Sequence, residues 1–277
     1  ETFQLGGNSG TTVCADLDND GWMDLVTHEI VHYDVGSSSD PSEILHNQAD
    51  PDVRFERPGN QVTGLLREDE YESWDRGDMT GAVFDFDNDG WLDIYIGSSD
   101  YPGNKGLLFH QVEPLVFEAV ALDDYFSHYR SHGVAVADFD RDGDLDMVVG
   151  HSTHRCDGYP GDDCQDTNQV QMYENRLSEG SSWLQLRLEG TGGSNAMAVG
   201  ARVEVTACGV TQTRVVDGGH GHFGTQRDRV LHFGLGAASE AEVRVTWPDG
   251  ERTEETFSLQ GSARWDLVQG QEAQHWP

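Results

Sequence analysis

Hydrophobic and polar residues alternate over short runs through most of the chain, and patterns of helical period are nearly absent. The runs TTVCA, GAVF and GVAVA are each followed, after an acidic segment, by DLVTH, DIYIG and DMVVG. Their length and β-branched content are typical of strands. The alternating runs SEILHNQ, GLLFHQ and QVQMYEN come next, and VRFERP and LVFEAVA add a further strand to the first two units. The pattern predicts an all-β chain of repeated four-stranded units.

The units share an acidic segment of nine residues, written DLDNDGWMD, DFDNDGWLD and DFDRDGDLD. The segments start at Asp16, Asp85 and Asp138, which are 69 and 53 residues apart. A period near fifty residues is typical of a propeller or a solenoid. Because each acidic segment would join the first two strands of its unit, the units are interpreted as β-propeller-type blades. Three blades do not close a ring, so we expect additional blades upstream of residue 1, with an open stack as the alternative.

From about Ser182 the strands continue without acidic segments, as in WLQLRLEG, GARVEVTACG and EVRVTWPDGERTEETF. The last run predicts a hairpin that turns at Pro248-Asp249-Gly250. We therefore expect blades over residues 1–178 and a small β-sandwich-like domain over residues 179–277.

Each acidic segment has the form D-x-D-x-D-G-x-x-D. The glycine at position six permits a tight turn, and alternate oxygens of such a loop can point at one centre. Calcium accepts about 6–8 oxygen ligands in flexible geometry, whereas an EF-hand would need flanking helices and a glutamate at position twelve. A solvated acidic turn would explain one copy, but three copies favour three calcium ions. The predicted ligands are the aspartates and the position-seven carbonyls: Asp16, Asp18, Asp20, Trp22, Asp24, Asp85, Asp87, Asp89, Trp91, Asp93, Asp138, Asp140, Asp142, Asp144 and Asp146.

The formal charge of −33 disfavours nucleic acid and anionic lipid as partners. No apolar run approaches the roughly 20 residues of a membrane helix, so no membrane insertion is expected.

Cys156 and Cys164 bracket the turn-rich segment DGYPGDD. That spacing favours a local disulfide over a metal pair, and with it an oxidising compartment. The pairing of Cys14 and Cys208 stays open.

Histidines are frequent before the first strand and after the second strand of a unit, which places them on the rim opposite the acidic loops. Imidazole together with carboxylate suits Zn, Cu or Fe, so this rim could hold a transition metal. The alternative is that these histidines bind carbonyls or face water. The candidates are His28, His32, His128, His132, His151 and His154 on the rim, with His220 and His222 in the second domain. No nucleophilic triad or phosphate loop is present, and no catalytic residue is predicted.

The segments ADLDNDGWMDLV, FDFDNDGWLDIY and ADFDRDGDLDMV resemble the FG-GAP, or VCBS-type, repeat of integrin α-chain propellers and secreted bacterial proteins. WLQLRLEGT, GARVEV, GGHGHFGTQ, HFGLG and VRVTWPDG together resemble the ASPIC/UnbV domain, and this pairing is similar to that of the cartilage acidic protein family. The resemblance implies an integrin-like, calcium-bound protein that is extracellular, periplasmic or on the cell surface.

Three functions are therefore weighed. The favoured one is a binding or adhesion module for a protein or glycan partner. The alternatives are a metalloenzyme with a His-bound transition metal on the rim, and an architectural part of a larger envelope assembly.

Overall fold

The computed structural model describes residues 9–31, 40–66, 76–100, 102–121, 128–158, 161, 163–167, 169–178, 180–219 and 228–276. Within these ranges the chain is almost entirely β, with a single four-residue helix, α1 (Asn60–Thr63). The predicted all-β class is confirmed. No helix of these ranges is long and apolar enough to cross a membrane.

Three antiparallel sheets, called blades 1, 2 and 3, follow one another along the chain. In each blade the strands pair in sequence order, as the repeat predicts. Blade 1 contains β1 (Ser9–Ala15), β2 (Asp24–Val31), β3 (Glu43–Asn47), β4 (Phe55–Glu56) and β5 (Arg76–Gly77). Of these strands, β5 adds to the side of β2. Blade 2 contains β6 (Gly81–Phe84), β7 (Asp93–Ile96), β8 (Leu107–Glu113) and β9 (Val116–Ala119). Blade 3 contains β10 (Ser131–Ala137), β11 (Asp146–His151) and β12 (Gln169–Tyr173).

The blades pack face to face through two apolar layers. Val26, Ile94 and Phe109 belong to the layer between blades 1 and 2. Tyr95 and Val149 belong to the layer between blades 2 and 3. The first strands β1, β6 and β10 are neighbours, so the blades are arranged side by side along their first strands. This arrangement brings all three acidic segments to the same end of the stack.

The C-terminal part forms two four-stranded sheets that enclose one core, which includes Leu186, Val203, Val243 and Trp247. The sandwich-like prediction is confirmed. The strands are β13 (Ser182–Glu189), β14 (Arg202–Ala207), β15 (Val210–Val215), β16 (Leu231–Gly236), β17 (Glu240–Thr246), β18 (Glu254–Gln260), β19 (Ala263–Val268) and β20 (Gln274–Trp276). β17 and β18 form the predicted hairpin, whereas β13 pairs in parallel with β19, which the local pattern did not predict.

The predicted disulfide joins Cys156 to Cys164, whose Cα atoms are 5.9 Å apart. Asp163, inside the closed loop, accepts two hydrogen bonds from the buried guanidinium of Arg130, at 2.9 and 3.1 Å. The loop is thereby tied to the start of blade 3. Cys14 and Cys208 are both free.

Replacing both cysteines of the disulfide, in Cys156→Ser/Cys164→Ser, is expected to lower the free energy of unfolding by about 2–3 kcal/mol, because the unfolded chain regains the entropy of an open loop. Urea unfolding measures the loss. One of the two exposed free cysteines offers a control: Cys208→Ser should change stability by less than about 0.5 kcal/mol. Equal effects of the two changes would contradict this prediction.

Candidate metal centres

The acidic segments fold into three similar loops, called loops 1, 2 and 3 in chain order. In each loop the first aspartate accepts a hydrogen bond through Oδ2 from the backbone N–H of the position-six glycine. These glycines have φ values of 92°, 94° and 100°, a region that residues with a Cβ atom rarely adopt. The N to Oδ2 distances are 3.0 Å for Gly21 to Asp16, 2.8 Å for Gly90 to Asp85 and 3.0 Å for Gly143 to Asp138.

The ninth aspartate closes each loop on its own second residue and ties it to the third-strand side of the blade. One carboxylate oxygen accepts a hydrogen bond from the backbone N–H at position two of the loop. The other accepts one from a backbone N–H of the third strand or of the residues that directly follow it. The contacts are Asp24 with Leu17 (3.1 Å) and Asn47 (2.8 Å), Asp93 with Phe86 (3.0 Å) and Gln111 (2.8 Å), and Asp146 with Phe139 (3.0 Å) and Asn175 (2.8 Å).

Carboxylates at positions one, three and nine converge in loops 2 and 3, whereas loop 1 brings Asp18 and Asp20 together with His46. In loop 2 the ligand atoms of Asp85, Asp87 and Asp93 lie within 4.8 Å of one another, and loop 3 repeats this with its equivalent aspartates, Asp138, Asp140 and Asp146. Oδ1 of Asp16 and Oδ1 of Asp138 are buried and have no hydrogen-bond partner among the described residues. A buried carboxylate oxygen without a partner is costly, so a cation fits these loops.

Burial also perturbs the acidity of the loops. Desolvation raises the pKa of Asp85 to about 7, and it raises the pKa values of Asp16 and Asp24 to about 6. The cause is the same in each case, because a carboxylate removed from water loses hydration that nearby charges do not replace. A divalent ion would supply that charge. Aspartates at positions one, three, five and nine would hold it, and the carbonyl contributions of Trp22, Trp91 and Asp144 stay predictions.

Neighbouring loops are linked through position four, which the sequence analysis overlooked. Nδ2 of Asn19 donates to the carbonyl of Gly90 (3.1 Å), and Nδ2 of Asn88 donates to the carbonyl of Gly143 (3.2 Å). Both asparagines have positive φ, 57° and 61°, which asparagine tolerates better than most residues. The sequence feature that could have indicated this link is the N-D-G that loops 1 and 2 share. The three loops therefore form one hydrogen-bonded row.

The C-terminal sheets lie against this row. In loop 3, Asp138 Oδ2 accepts from Arg264 Nη2 (2.6 Å) and from Gln185 Nε2 (2.8 Å), and Arg264 Nε donates to Gln185 Oε1 (2.7 Å). Arg264 and Asp138 are 7% and 4% exposed. Arg214 interacts electrostatically with the first aspartates of loops 1 and 2. The C-terminal part thus brings arginines to all three loops.

Loop 2 also lies directly against the C-terminal sheets. Nε2 of His232 lies 2.6 Å from Oδ1 of Asn88, so Nε2 donates and Nδ1 is left to accept from Gln185 at 3.3 Å. Desolvation lowers the pKa of His232 to about 3, which keeps this ring neutral. A Cβ atom on Gly234 would lie 2.1 Å from Oδ2 of Asp85. Only glycine lets this strand approach the loop.

The surroundings of three of the rim histidines, His28, His128 and His151, are described by the structure. His28 is buried between blades 1 and 2, where its Nε2 would lie 1.9 Å from a Cβ atom on Gly81. The rings of His128 and His151 are 5.8 Å apart in a T-shaped contact, and His151 Nδ1 donates to the carbonyl of Tyr129 at 2.8 Å. Among the described residues, groups of three His, Cys, Asp or Glu ligands occur only at the loops.

The rim metal site stays a prediction. His132 lies in β10, and His154 lies in the turn after β11. Three further candidates, His32, His220 and His222, fall outside the described residues.

Acid is expected to destabilise the fold through His128. Desolvation, with His151 beside it, lowers the pKa of His128 from 6.5 to about 4, so the folded state holds it neutral. An unfolded chain protonates this ring below pH 6.5, so the contribution is present above that pH and is lost as the pH falls toward 4. At pH 5 the loss is about 2 kcal/mol.

The measurement for His128 is urea unfolding at pH 7 and pH 5 in saturating calcium, for the natural chain and for His128→Gln. The difference between the two proteins isolates this ring from the acidic loops. We expect the natural chain to lose about 2 kcal/mol more than the variant over that interval. Parallel pH profiles would contradict the prediction.

Two histidines that the sequence analysis did not select lie beside the loops. Nε2 of His46, on β3, is 3.1 Å from Oδ2 of Asp18. Nε2 of His110, on β8, is 3.3 Å from Oδ2 of Asp87 and 3.7 Å from Oδ2 of Asp89. The sequence feature that could have indicated them is their shared position, since each histidine is the third residue of its run, ILHN or LFHQ. Sequence alone did not show that the third strand passes the loop.

Comparison with known proteins agrees with this division of the chain. Residues 85–149 match the model of the FG-GAP-like repeat, and residues 190–274 match the model of ASPIC and UnbV. We refer to these two matched segments as the FG-GAP-like repeat and the ASPIC and UnbV domain. Loop 2 and loop 3 lie within the matched repeat, and the arginines that reach the loops lie within the ASPIC and UnbV domain.

The chain is similar to cartilage acidic protein 1 from Homo sapiens, Mus musculus and Xenopus tropicalis, with 29% identity over 179 residues in each case. The match covers 62% of this chain and 25%, 26% and 26% of these relatives, so the chain spans about a quarter of their length. A crystal structure from Bacteroides uniformis, provisionally described as a cell adhesion protein, matches with 13% identity and a TM-score of 0.22 over 74% of this chain and 92% of that one. An overlap this low supports no statement about fold or function.

Proposed function

We propose that this chain is a calcium-binding module of an extracellular, periplasmic or cell-surface protein that binds a protein or glycan partner. The observation that carries the proposal is the loop repeated three times, with three converging carboxylates in loops 2 and 3. In loops 1 and 3 a buried carboxylate oxygen has no hydrogen-bond partner among the described residues. Oxygen ligands at this density suit calcium, which accepts about 6–8 of them, better than Mg²⁺, which keeps its water.

The proposed division places blades in residues 1–178 and the ASPIC and UnbV domain in residues 179–277. Calcium would hold the first two strands of each blade together at the loop end. The ASPIC and UnbV domain would cover the loop row, because its arginines reach the first aspartates there. Residues on the blades away from that cover would be open to a partner.

Localisation and partner follow from chemistry and similarity. The disulfide favours an oxidising compartment. The charge of −33 repels polyanions, so nucleic acid is not a proposed partner. The similarity to cartilage acidic protein 1 and the FG-GAP-like repeat support a binding role rather than a reaction.

Calcium stoichiometry tests the first part of the proposal. Equilibrium dialysis followed by elemental analysis should find one calcium per loop. Asp93→Asn should remove the ion from loop 2, since this aspartate would be a ligand and accepts hydrogen bonds from Phe86 of its own loop and from Gln111 of β8. Asp52→Asn, at an exposed position outside the loops, is the matched control and should keep all the calcium. A chain that binds no calcium would overturn the proposal.

Partner binding tests the second part. The chain would be immobilised and probed with a glycan array and with extracellular matrix proteins, in calcium and after chelation. Calcium-dependent binding to one of these classes is the expected result. Binding that is the same in calcium and in chelator would contradict a role for the loops in presenting the partner surface.

A further inference from the structure

The third strand of each blade runs past the outer side of its acidic loop. The backbone N–H groups of Asn47, Gln111 and Asn175 all donate to the ninth aspartate of their own loop, at 2.8 Å in each case. These three residues therefore occupy equivalent positions in the three blades. The residues just before them, His46, His110 and Glu174, are equivalent as well.

This equivalent position differs in chemistry between the blades. In loop 1 the ligand atoms of Asp18, Asp20 and His46 lie within 4.8 Å of one another, and loop 2 repeats the group with Asp87, Asp89 and His110. Blade 3 has a carboxylate instead: Glu174 pairs with Arg176 at 2.8 Å, and the exposed fraction of its side chain is 49%. Loops 1 and 2 therefore have imidazole nitrogen at hand, and loop 3 has only oxygen.

Independent features of loops 1 and 2 point to a bound cation. Asp16, in loop 1, is fully buried, and its Oδ1 has no hydrogen-bond partner among the described residues. In loop 2 the Nε2 atom of His110 is itself buried and makes no hydrogen bond of good geometry within the described residues. Phe86 holds the His110 ring in a T-shaped contact at 5.5 Å, which fixes its orientation toward Asp87.

We propose that loops 1 and 2 are mixed carboxylate–imidazole sites that take a divalent transition metal, with zinc as the probe, in preference to calcium, whereas loop 3 keeps calcium. This proposal rests on the proposed function, because it assigns metals to the same loops. Calcium is a hard cation that selects oxygen, and an imidazole in its ligand set weakens its hold. Zinc accepts imidazole and carboxylate together.

A metal-bound histidine usually makes a second contact through its other ring nitrogen. His46, beside loop 1, has a candidate partner for that contact. The side-chain amide of Gln48 lies 3.1 Å from Nδ1 of His46. Ligation through Nε2 needs the proton on Nδ1, and the amide oxygen of Gln48, after a flip of the amide, would accept it. Such an outer contact orients the ring and strengthens the nitrogen as a ligand.

The test uses the full chain loaded with calcium, dialysed against zinc in excess calcium and analysed for both metals. The expected result is one zinc in each of loops 1 and 2, with calcium kept in loop 3. His46→Asn should lose the zinc of loop 1, and His110→Asn should lose that of loop 2, each with an affinity for zinc weaker by on the order of tenfold or more. Both variants should still bind calcium, because asparagine offers oxygen.

Glu174→His provides the matched gain of function. It places imidazole at the equivalent position of blade 3, and it should add a zinc to loop 3. Zinc binding that is unchanged in His46→Asn/His110→Asn, or no additional zinc in Glu174→His, would overturn the proposal. Calcium in all three loops with no retained zinc would overturn it while leaving the proposed function intact. Absence of both metals would overturn both.

Discussion

Chelation of calcium is expected to lower the melting temperature by roughly 15–30 °C. Each loop filled at about 100 times its dissociation constant adds about 2.7 kcal/mol to the folded state. The loops are linked in one row by Asn19 and Asn88, so they should contribute to a single unfolding unit. For a chain of this size each kcal/mol changes the melting temperature by roughly 2–4 °C. Differential scanning calorimetry in calcium and in chelator measures the change.

Variants can show that this loss comes from the loops. Asp93→Asn should lower the melting temperature in calcium by roughly a third of the chelator effect and should then show a smaller response to chelation. The exposed Asp52→Asn should behave like the natural chain in both conditions. A melting temperature that does not respond to chelator would contradict the calcium assignment of all three loops.

The acidic loops were predictable because their chemistry is written in one short segment. The glycine at position six and the four aspartates lie within nine residues, and local backbone geometry brings them together. The strands that flank them were predictable for the same reason, since alternation of period two is a local signal. The same local signal predicts the fourth strands: β4, of two residues, lies within VRFERP, and β9, of four residues, lies within LVFEAVA.

The contacts around the loops were not predictable, because they join distant parts of the chain. Asp138 and Arg264 are 126 residues apart, and Asn88 and His232 are 144 residues apart. Nothing in the alternation of β16 or β19 indicates which of its polar residues faces a loop. Gly234 looks like an ordinary interruption of a strand, and its approach to Asp85 and to the backbone of Asn88 explains it. His46 was missed for a related reason: its position in β3 indicates a role only once the strand is seen to pass beside Asp18.

These distant contacts change the electrostatics of the loops. The aspartates of each loop repel one another, and without nearby positive side chains a bound ion alone would have to compensate their negative charge. Arg264 and Arg214 place positive charge on the side of the loops that faces the ASPIC and UnbV domain. Desolvation lowers the pKa of Arg214, and the nearby Asp85 and Asp16 oppose that change. The domain and the ions would therefore neutralise the same carboxylates from opposite sides.

Arg264→Met is accordingly expected to destabilise the chain by about 3 kcal/mol in chelator and by less in calcium. The change keeps an apolar side chain beside Trp183 and Trp276, whose ring centroids lie 5.9 and 5.6 Å from the guanidinium carbon, and it removes the charge from a buried pair. An unpaired buried carboxylate costs about 3–5 kcal/mol, and an ion at loop 3 would offset part of that cost. Urea unfolding in the two conditions measures both values.

A double-mutant cycle separates the pair from its surroundings. Asp138→Asn removes the other charge, so Arg264→Met/Asp138→Asn should cost less than the sum of the two single changes in chelator. Arg54→Ala breaks an exposed pair, with Asp50 at 3.5 Å, and should cost less than about 1 kcal/mol in either condition. If Arg264→Met costs the same with and without calcium, then the arginine and the ion do not act on the same carboxylate. The shared neutralisation of loop 3 would then be wrong, because the two would contribute to stability independently.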